Sequence, residues 1–153
     1  MIPQTEKQRL GLYGEYRVLA ELLRNGYNAT LTMGNAKATD IVVFSEKNKY
    51  LRIEVKTSKN LRNFVTGFFP KYTDPNKIHP DIWIFFIPGY INQKEDVFYI
   101  LTHQQVREAQ LIVNKGNQTQ KGKGVDNISI KRLEENYKDS KNNWLLINLE
   151  LEK

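Results

Sequence analysis

Two short apolar segments, residues 38–44 (Ala-Thr-Asp-Ile-Val-Val-Phe) and 51–57 (Leu-Arg-Ile-Glu-Val-Lys-Thr), constrain this chain more than any other feature. In the second, Leu51, Ile53 and Val55 alternate with Arg52, Glu54 and Lys56, the period of a β-strand with one face buried. Alternation sets Glu54 and Lys56 on the same face. Residues 45–49 (Ser-Glu-Lys-Asn-Lys) supply a hairpin-like turn, which lays the Asp40 strand beside the Glu54 strand. Two carboxylates and an ammonium then converge on one patch of one sheet. Carboxylate oxygens are the donors that Mg²⁺ prefers, and metal-assisted phosphoryl chemistry needs a nearby group to position water.

The remaining elements surround that hairpin. A first helix is expected from about residue 5 to residue 25, with Leu12, Tyr16, Leu19 and Leu23 at helical spacing and Arg17, Glu21 and Arg24 on the opposite side. Gly26 suits the left-handed residue that ends it. A strand follows at 27–33, then a turn at Gly34-Asn35. Residues 58–80 are irregular, with room for a short helix or an extra hairpin. Residues 81–87 (Asp-Ile-Trp-Ile-Phe-Phe-Ile) read as a buried central strand, and 97–101 (Val-Phe-Tyr-Ile-Leu) as another. Thr102 with Gln105 forms a capping-box pattern that opens a helix to about Val113. The Lys/Gly/Gln-rich stretch 115–124 reads as a mobile loop; a short helix near 131–137 and a terminal strand at 144–149 complete the chain.

With 153 residues and no linker-like stretch, one domain spanning 1–153 is expected, with its core at about 5–113 and a C-terminal helix and strand at 125–150. The element order predicts a mixed α/β sandwich. No apolar run reaches the roughly 18–20 residues that span a bilayer, and no signal-peptide pattern opens the sequence, so a cytoplasmic protein with no membrane partner is expected. The absence of cysteine excludes disulfides and thiolate zinc sites. A formal charge of +6 favours polyanionic partners, nucleic acid above all.

An acidic-x-Lys triplet is weak by itself, since about one is expected by chance in a chain of this composition. A second one, Asp139-Ser-Lys141, lies in a polar stretch with no strand around it. The bland reading is a solvated strand face carrying a cross-strand ion pair, worth about 0.2–1 kcal/mol. The first helix tips the balance. Gly11 and Gly14 lie within one turn, at a cost of about 1 kcal/mol each relative to alanine, which points to close approach of another element. Glu15 falls at the edge of the apolar stripe, where a carboxylate needs a partner. His79 and His103 lack a second ligand at metal spacing and read as structural or surface residues. Trp83, Trp144 and the Phe85-Phe86 pair read as core.

Gly11-x-x-Gly-Glu15, Thr39-Asp40-Ile-Val-Val and Ile53-Glu54-Val-Lys56-Thr-Ser58 together resemble the PD-(D/E)XK nuclease superfamily, which includes restriction endonucleases and archaeal Holliday junction resolvases. The likeness runs in element order from Gln8 to about Leu111 and is sharp over 11–15 and 40–58; Thr39 stands where the superfamily name has proline. It implies a restriction-endonuclease-like α/β/α sandwich around a mixed sheet. It also implies a Mg²⁺-dependent deoxyribonuclease, with Mn²⁺ as substitute, that leaves a 5′-phosphate and a 3′-hydroxyl. Asp40, Glu54 and the Val55 carbonyl would hold the metal. Lys56 would orient the attacking water, and Glu15 would support the metal's water or a second ion. Ser58, on the same strand face as Lys56 by alternation, would contact the scissile phosphate; Lys59, Arg62, Lys71 and Lys77 are the other expected nucleic-acid contacts, because their segment follows the Glu54 strand directly. A homodimer would suit cleavage of both strands of a duplex. The rival readings are a non-catalytic nucleic-acid-binding module of the same fold and a protein-interaction partner with an incidental basic face.

Overall fold

A computed structural model describes residues 3–32, 38–67, 74–116 and 126–153. A long helix α1 (Gln4–Arg24) is followed by strands β1 (Asn28–Leu31), β2 (Ile41–Phe44), β3 (Tyr50–Thr57) and β4 (Asn63–Val65). Strands β5 (Ile82–Ile87) and β6 (Val97–Thr102) come next, then α2 (His103–Val113), β7 (Asn127–Ser129), α3 (Ile130–Asn136) and α4 (Leu145–Leu151). A five-stranded sheet of order β1-β2-β3-β5-β6 forms the centre; β3 and β5 run parallel and the other neighbours antiparallel. β4 and β7 pair as a separate two-stranded sheet.

Strand alternation sorts the core into two layers. Ile53 and Val55 join Val18, Leu22, Ile41, Ile84 and Ile147 on the face covered by α1 and α4. Trp83 and Phe85 join Phe64, Val106, Ile128 and Leu133 on the face covered by β4, β7, α2 and α3. The result is the mixed α/β sandwich expected, with a small sheet added to its second outer layer. The β2–β3 hairpin, the buried β5 and the capping box of α2 agree with the sequence reading. In that box Thr102 Oγ1 accepts from the Gln105 amide while Gln105 Oε1 accepts from the Thr102 amide. Gly26, at φ 85°, ends α1 in a Schellman arrangement, with Tyr27 N donating to Leu22 O and Gly26 N to Leu23 O.

Several expectations need correction. The buried row of α1 is Gly14, Val18 and Leu22, whereas Leu12, Tyr16 and Leu23 are half exposed. A glycine adds nothing to a hydrophobic pattern, so the row it heads was masked by the larger side chains of the neighbouring row. Arg17 and Glu21, expected in water, are partly buried: Arg17 bridges Glu21 and Asp96 and so ties α1 to the β5–β6 connection. The terminal segment is helix α4, not a strand; Ile147 and Leu151 point into the core one turn apart, a spacing that a short apolar run does not distinguish from a strand. The core therefore extends past residue 113, through Ile128, Leu133, Ile147 and Leu151. The irregular 58–80 segment contributes β4, whose partner is the distant β7 rather than a local hairpin. Each of these strands buries a single central residue, Phe64 and Ile128, too short a pattern to read.

Candidate active site

Strand β2 starts at Ile41, opposite Ile53, but β3 runs on to Thr57. Glu54 to Thr57 thus keep β5 on one edge and have no β2 partner on the other. This is a notch in the sheet. Asp40, the residue before β2, closes part of it: its amide donates to Ile53 O, and its Oδ2 accepts from Val55 N at 2.8 Å. N–H and C=O of one strand residue point to the same edge, so the Val55 carbonyl also faces the notch.

Glu54 lies opposite Trp83 in the parallel register, on the face away from α1. It is 9% exposed. Lys56 Nζ reaches back along the same face to Glu54 Oε1 at 2.9 Å, and lies 5.9 Å from the centre of the Trp83 ring. Glu15 enters from α1, near enough to feel both Glu54 and Lys56. Gly14 makes that approach possible, because a Cβ there would run into the Thr57 side chain and press on Phe86 at 3.3 Å. Gly11 meets nothing, so only one of the two helix glycines has a packing reason.

The electrostatics follow from crowding. Burial pushes the Asp40 carboxyl up to about 7, repulsion from Glu54 adds to it, and Glu15 adds less, against the Val55 amide and the Lys56 ammonium. Burial also raises Glu15, again with help from Glu54 and opposition from Lys56. Three carboxylates share one ammonium. That excess negative charge, and an all-oxygen donor set of Asp40, Glu54 and the Val55 carbonyl, fit a hard divalent cation such as Mg²⁺. Among the described residues no three acidic or imidazole side chains make a metal cluster by themselves, so the main-chain oxygen is part of that fit.

No family model matches the chain, and no curated protein does. Among solved structures it is similar to a bacterial homing endonuclease, I-Ssp6803I, with a TM-score of 0.57 at 13% identity, over 92% of this chain and 90% of that one. The fold is nuclease-like. Identity this low carries the architecture alone, and the chemistry rests on the residues in the notch.

On this nuclease-like fold the expected nucleic-acid contacts separate. Ser58 is fully buried; its Oγ accepts from Leu61 N and its amide donates to Phe86 O, so it builds the turn after β3 and is not placed to touch a phosphate. Lys59 is exposed beside Arg9, Tyr13 and Tyr90 at the end where β3 leaves the sheet. Arg62 is exposed at the entry to β4. Lys77 is exposed in a turn held by Asp74, before the N-terminal end of β5. Because β3 and β5 are parallel, Lys59 and Lys77 flank opposite ends of these strands. Lys71 lies outside the described residues, as does most of the 115–124 stretch.

Three neighbours of the site had been read in the sequence only as core, structural or surface residues. Trp83, read only as core, sits beneath Lys56 and donates its Nε1–H to His103 Nδ1 at 3.1 Å. His79 stacks on His103 with ring centroids 4.2 Å apart. The histidines are structural as expected, but they belong to the layer supporting the site. Asp139 and Lys141 are exposed on either side of the buried Ser140, in a turn with nothing like this environment.

Proposed function

We propose that the protein is a metal-dependent nuclease of the PD-(D/E)XK type that hydrolyses phosphodiester bonds of DNA. The observation that carries this reading is the notch beside β3, where Asp40 is hydrogen-bonded to Val55 and Glu54 is ion-paired to Lys56. A bland ion pair along one strand accounts for Glu54 and Lys56 but not for two further carboxylates crowded against them. A binding-only module has no use for converging carboxylates near phosphate, since they repel it.

Asp40, Glu54 and the Val55 carbonyl would hold a Mg²⁺ or Mn²⁺ ion. Such an ion, when bound, would supply charge neutralisation and Lewis acidity at the scissile phosphate. Lys56, partly exposed at the mouth of the notch, would orient water for in-line attack and offset charge developing at phosphorus. Glu15, whose proton affinity is raised, is suited to take or hold a proton at its carboxylate oxygens. Trp83 fixes the floor under Lys56.

The test is cleavage of branched, single-stranded and duplex DNA with Mn²⁺, with Lys56→Ala and Glu54→Ala as controls. Activity abolished by EDTA and by either substitution is expected. Identical behaviour of the wild type and both variants on every substrate would sink the proposal. No helix among the described residues is long and apolar enough to cross a membrane.

A further inference from the structure

A ladder of aromatic rings leads from the core to the surface at the end of the sheet where β3 and β5 finish. Phe86 is fully buried, Tyr13 of α1 lies 5.7 Å from it, and Tyr90 lies 5.7 Å beyond Tyr13, edge to face at 78°. The last ring is 64% exposed and its neighbour Ile91 is 42% exposed. An aromatic held by its edge keeps a face open to the solvent.

The turn presenting it is pinned. Tyr90 and Ile91 occupy the 3₁₀ turn Gly89–Asn92, closed by Lys94 N donating to Gly89 O and Gly89 N donating to Asp96 Oδ1. Asp96 is itself held by Arg17 of α1. Gly89 has no room for a side chain, because a Cβ would strike the backbone of Lys94 and Glu95. The exposed ring therefore sits on a rigid mount, so little ordering would be needed on binding.

Tyr13, Tyr90 and Ile91 line a groove with Glu6, Arg9 and Lys59. Neither Arg9 nor Lys59 forms an ion pair among the described residues. Two cations without an ion pair among the described residues, against one carboxylate, give the groove a positive balance, and an exposed aromatic lines the same groove. That pairing suits unpaired nucleotides, whose bases stack on a ring while Arg and Lys follow the phosphates. A paired duplex hides its base faces and has no use for the ring. The groove lies within reach of the notch: Lys59 follows Lys56 by three residues, at most about 11 Å of extended chain.

We propose that this groove binds single-stranded nucleic acid, seating an unpaired base next to the scissile phosphate on Tyr90, with Arg9 and Lys59 on the flanking phosphates. The proposal rests on the nuclease reading and narrows its substrate to strands that are single or frayed beside the cut. The test measures binding by fluorescence anisotropy in EDTA, so that no cleavage intervenes. The probes are a labelled blunt duplex and the same duplex with a single-stranded extension. Tyr90→Ala should weaken binding of the extended probe about tenfold and leave the blunt duplex within about twofold, with Tyr90→Phe close to wild type, as expected for stacking on one base. Arg9→Ala with Lys59→Ala should lower the salt dependence for the extended probe alone.

Equal losses on both probes would overturn the proposal in favour of a duplex-binding surface. No loss on either would show that nucleic acid does not touch the ring. A Tyr90-dependent change in molecular mass in light scattering would assign the groove to a second copy of the chain instead. Thermal melts confirm that the exposed-site variants fold. Mn²⁺ cleavage that depends on Lys56 but ignores Tyr90 sinks this inference and leaves the nuclease reading standing. Tyr90-selective binding without cleavage does the reverse.

Discussion

The Val55 amide donates to the Asp40 carboxylate at 2.8 Å, so a side chain completes a ladder that strand β2 leaves unfinished. The same contact fixes the carboxylate beside Glu54 without a main-chain partner between them. Structure and chemistry are joined at one atom pair, and substitutions can separate them.

Asp40→Asn keeps an oxygen for the Val55 amide and removes the charge; Asp40→Ala removes both. The Ala variant should lose about 1–3 kcal/mol in urea unfolding, the cost of stranding a buried donor. The Asn variant should be as stable as wild type or more so at neutral pH. Both should be inactive in the cleavage assay. An Asn variant as unstable as the Ala variant would show that the amide contact contributes nothing.

In EDTA the Asp40 carboxyl should make stability depend on pH. Its value rises from an ordinary 3.8 to about 7 in the fold, mainly through burial. The folded state therefore holds the proton more tightly than the unfolded one. Its contribution is fully present below about pH 4 and is lost as pH rises through about 7. Asp40→Asn should remove that part of the slope. Urea midpoints across pH 4–8 for both proteins would check this, and parallel curves would refute it.

Added Mn²⁺ should act in the opposite sense, because it needs the carboxylates ionised. The wild type should gain about 2–3 kcal/mol at a hundred times the dissociation constant at pH 7, and at that fixed Mn²⁺ concentration the gain should grow above pH 7. Glu54→Gln and Asp40→Asn should gain little. A full gain in either variant would move the metal away from the notch.

Gly14→Ala should cost about 1–3 kcal/mol through overpacking against Thr57 and Phe86. Gly11→Ala should stabilise α1 by about 0.5–1 kcal/mol, since nothing opposes a methyl there. Thr57→Ala should rescue Gly14→Ala, because the Thr57 hydroxyl is the first obstruction and has no hydrogen-bond partner to lose among the described residues. Chemical denaturation of the three variants and the double variant measures the coupling.

The hairpin and the meeting of Glu54 with Lys56 were legible because alternation over β3 has one reading: Leu51, Ile53 and Val55 inward, Glu54 and Lys56 together. Thr102 and Gln105 marked the start of α2 for a similarly local reason. The orientation of α1 was not legible, since its buried row begins with a glycine. Nor was β7, whose identity depends on pairing with β4 more than sixty residues away. Ser58 misled because alternation was carried one residue past the end of the strand, into a turn that buries it. Tyr90 carried no local signal at all; its exposure is set by the pinned turn beneath it.

The Asp40–Val55 contact spans only 15 positions, and one hairpin carries Asp40, Glu54 and Lys56. Short-range pairings of this kind close within microseconds, whereas the parallel docking of β5 must wait for a longer loop to close. The carboxylates should thus be brought together before the layers that bury them are in place. Their mutual repulsion is met first in water, where it is weak, and grows as the core closes over it. The last steps of folding should be the ones that feel the charge, so salt and divalent ions should act on the late barrier more than on the hairpin.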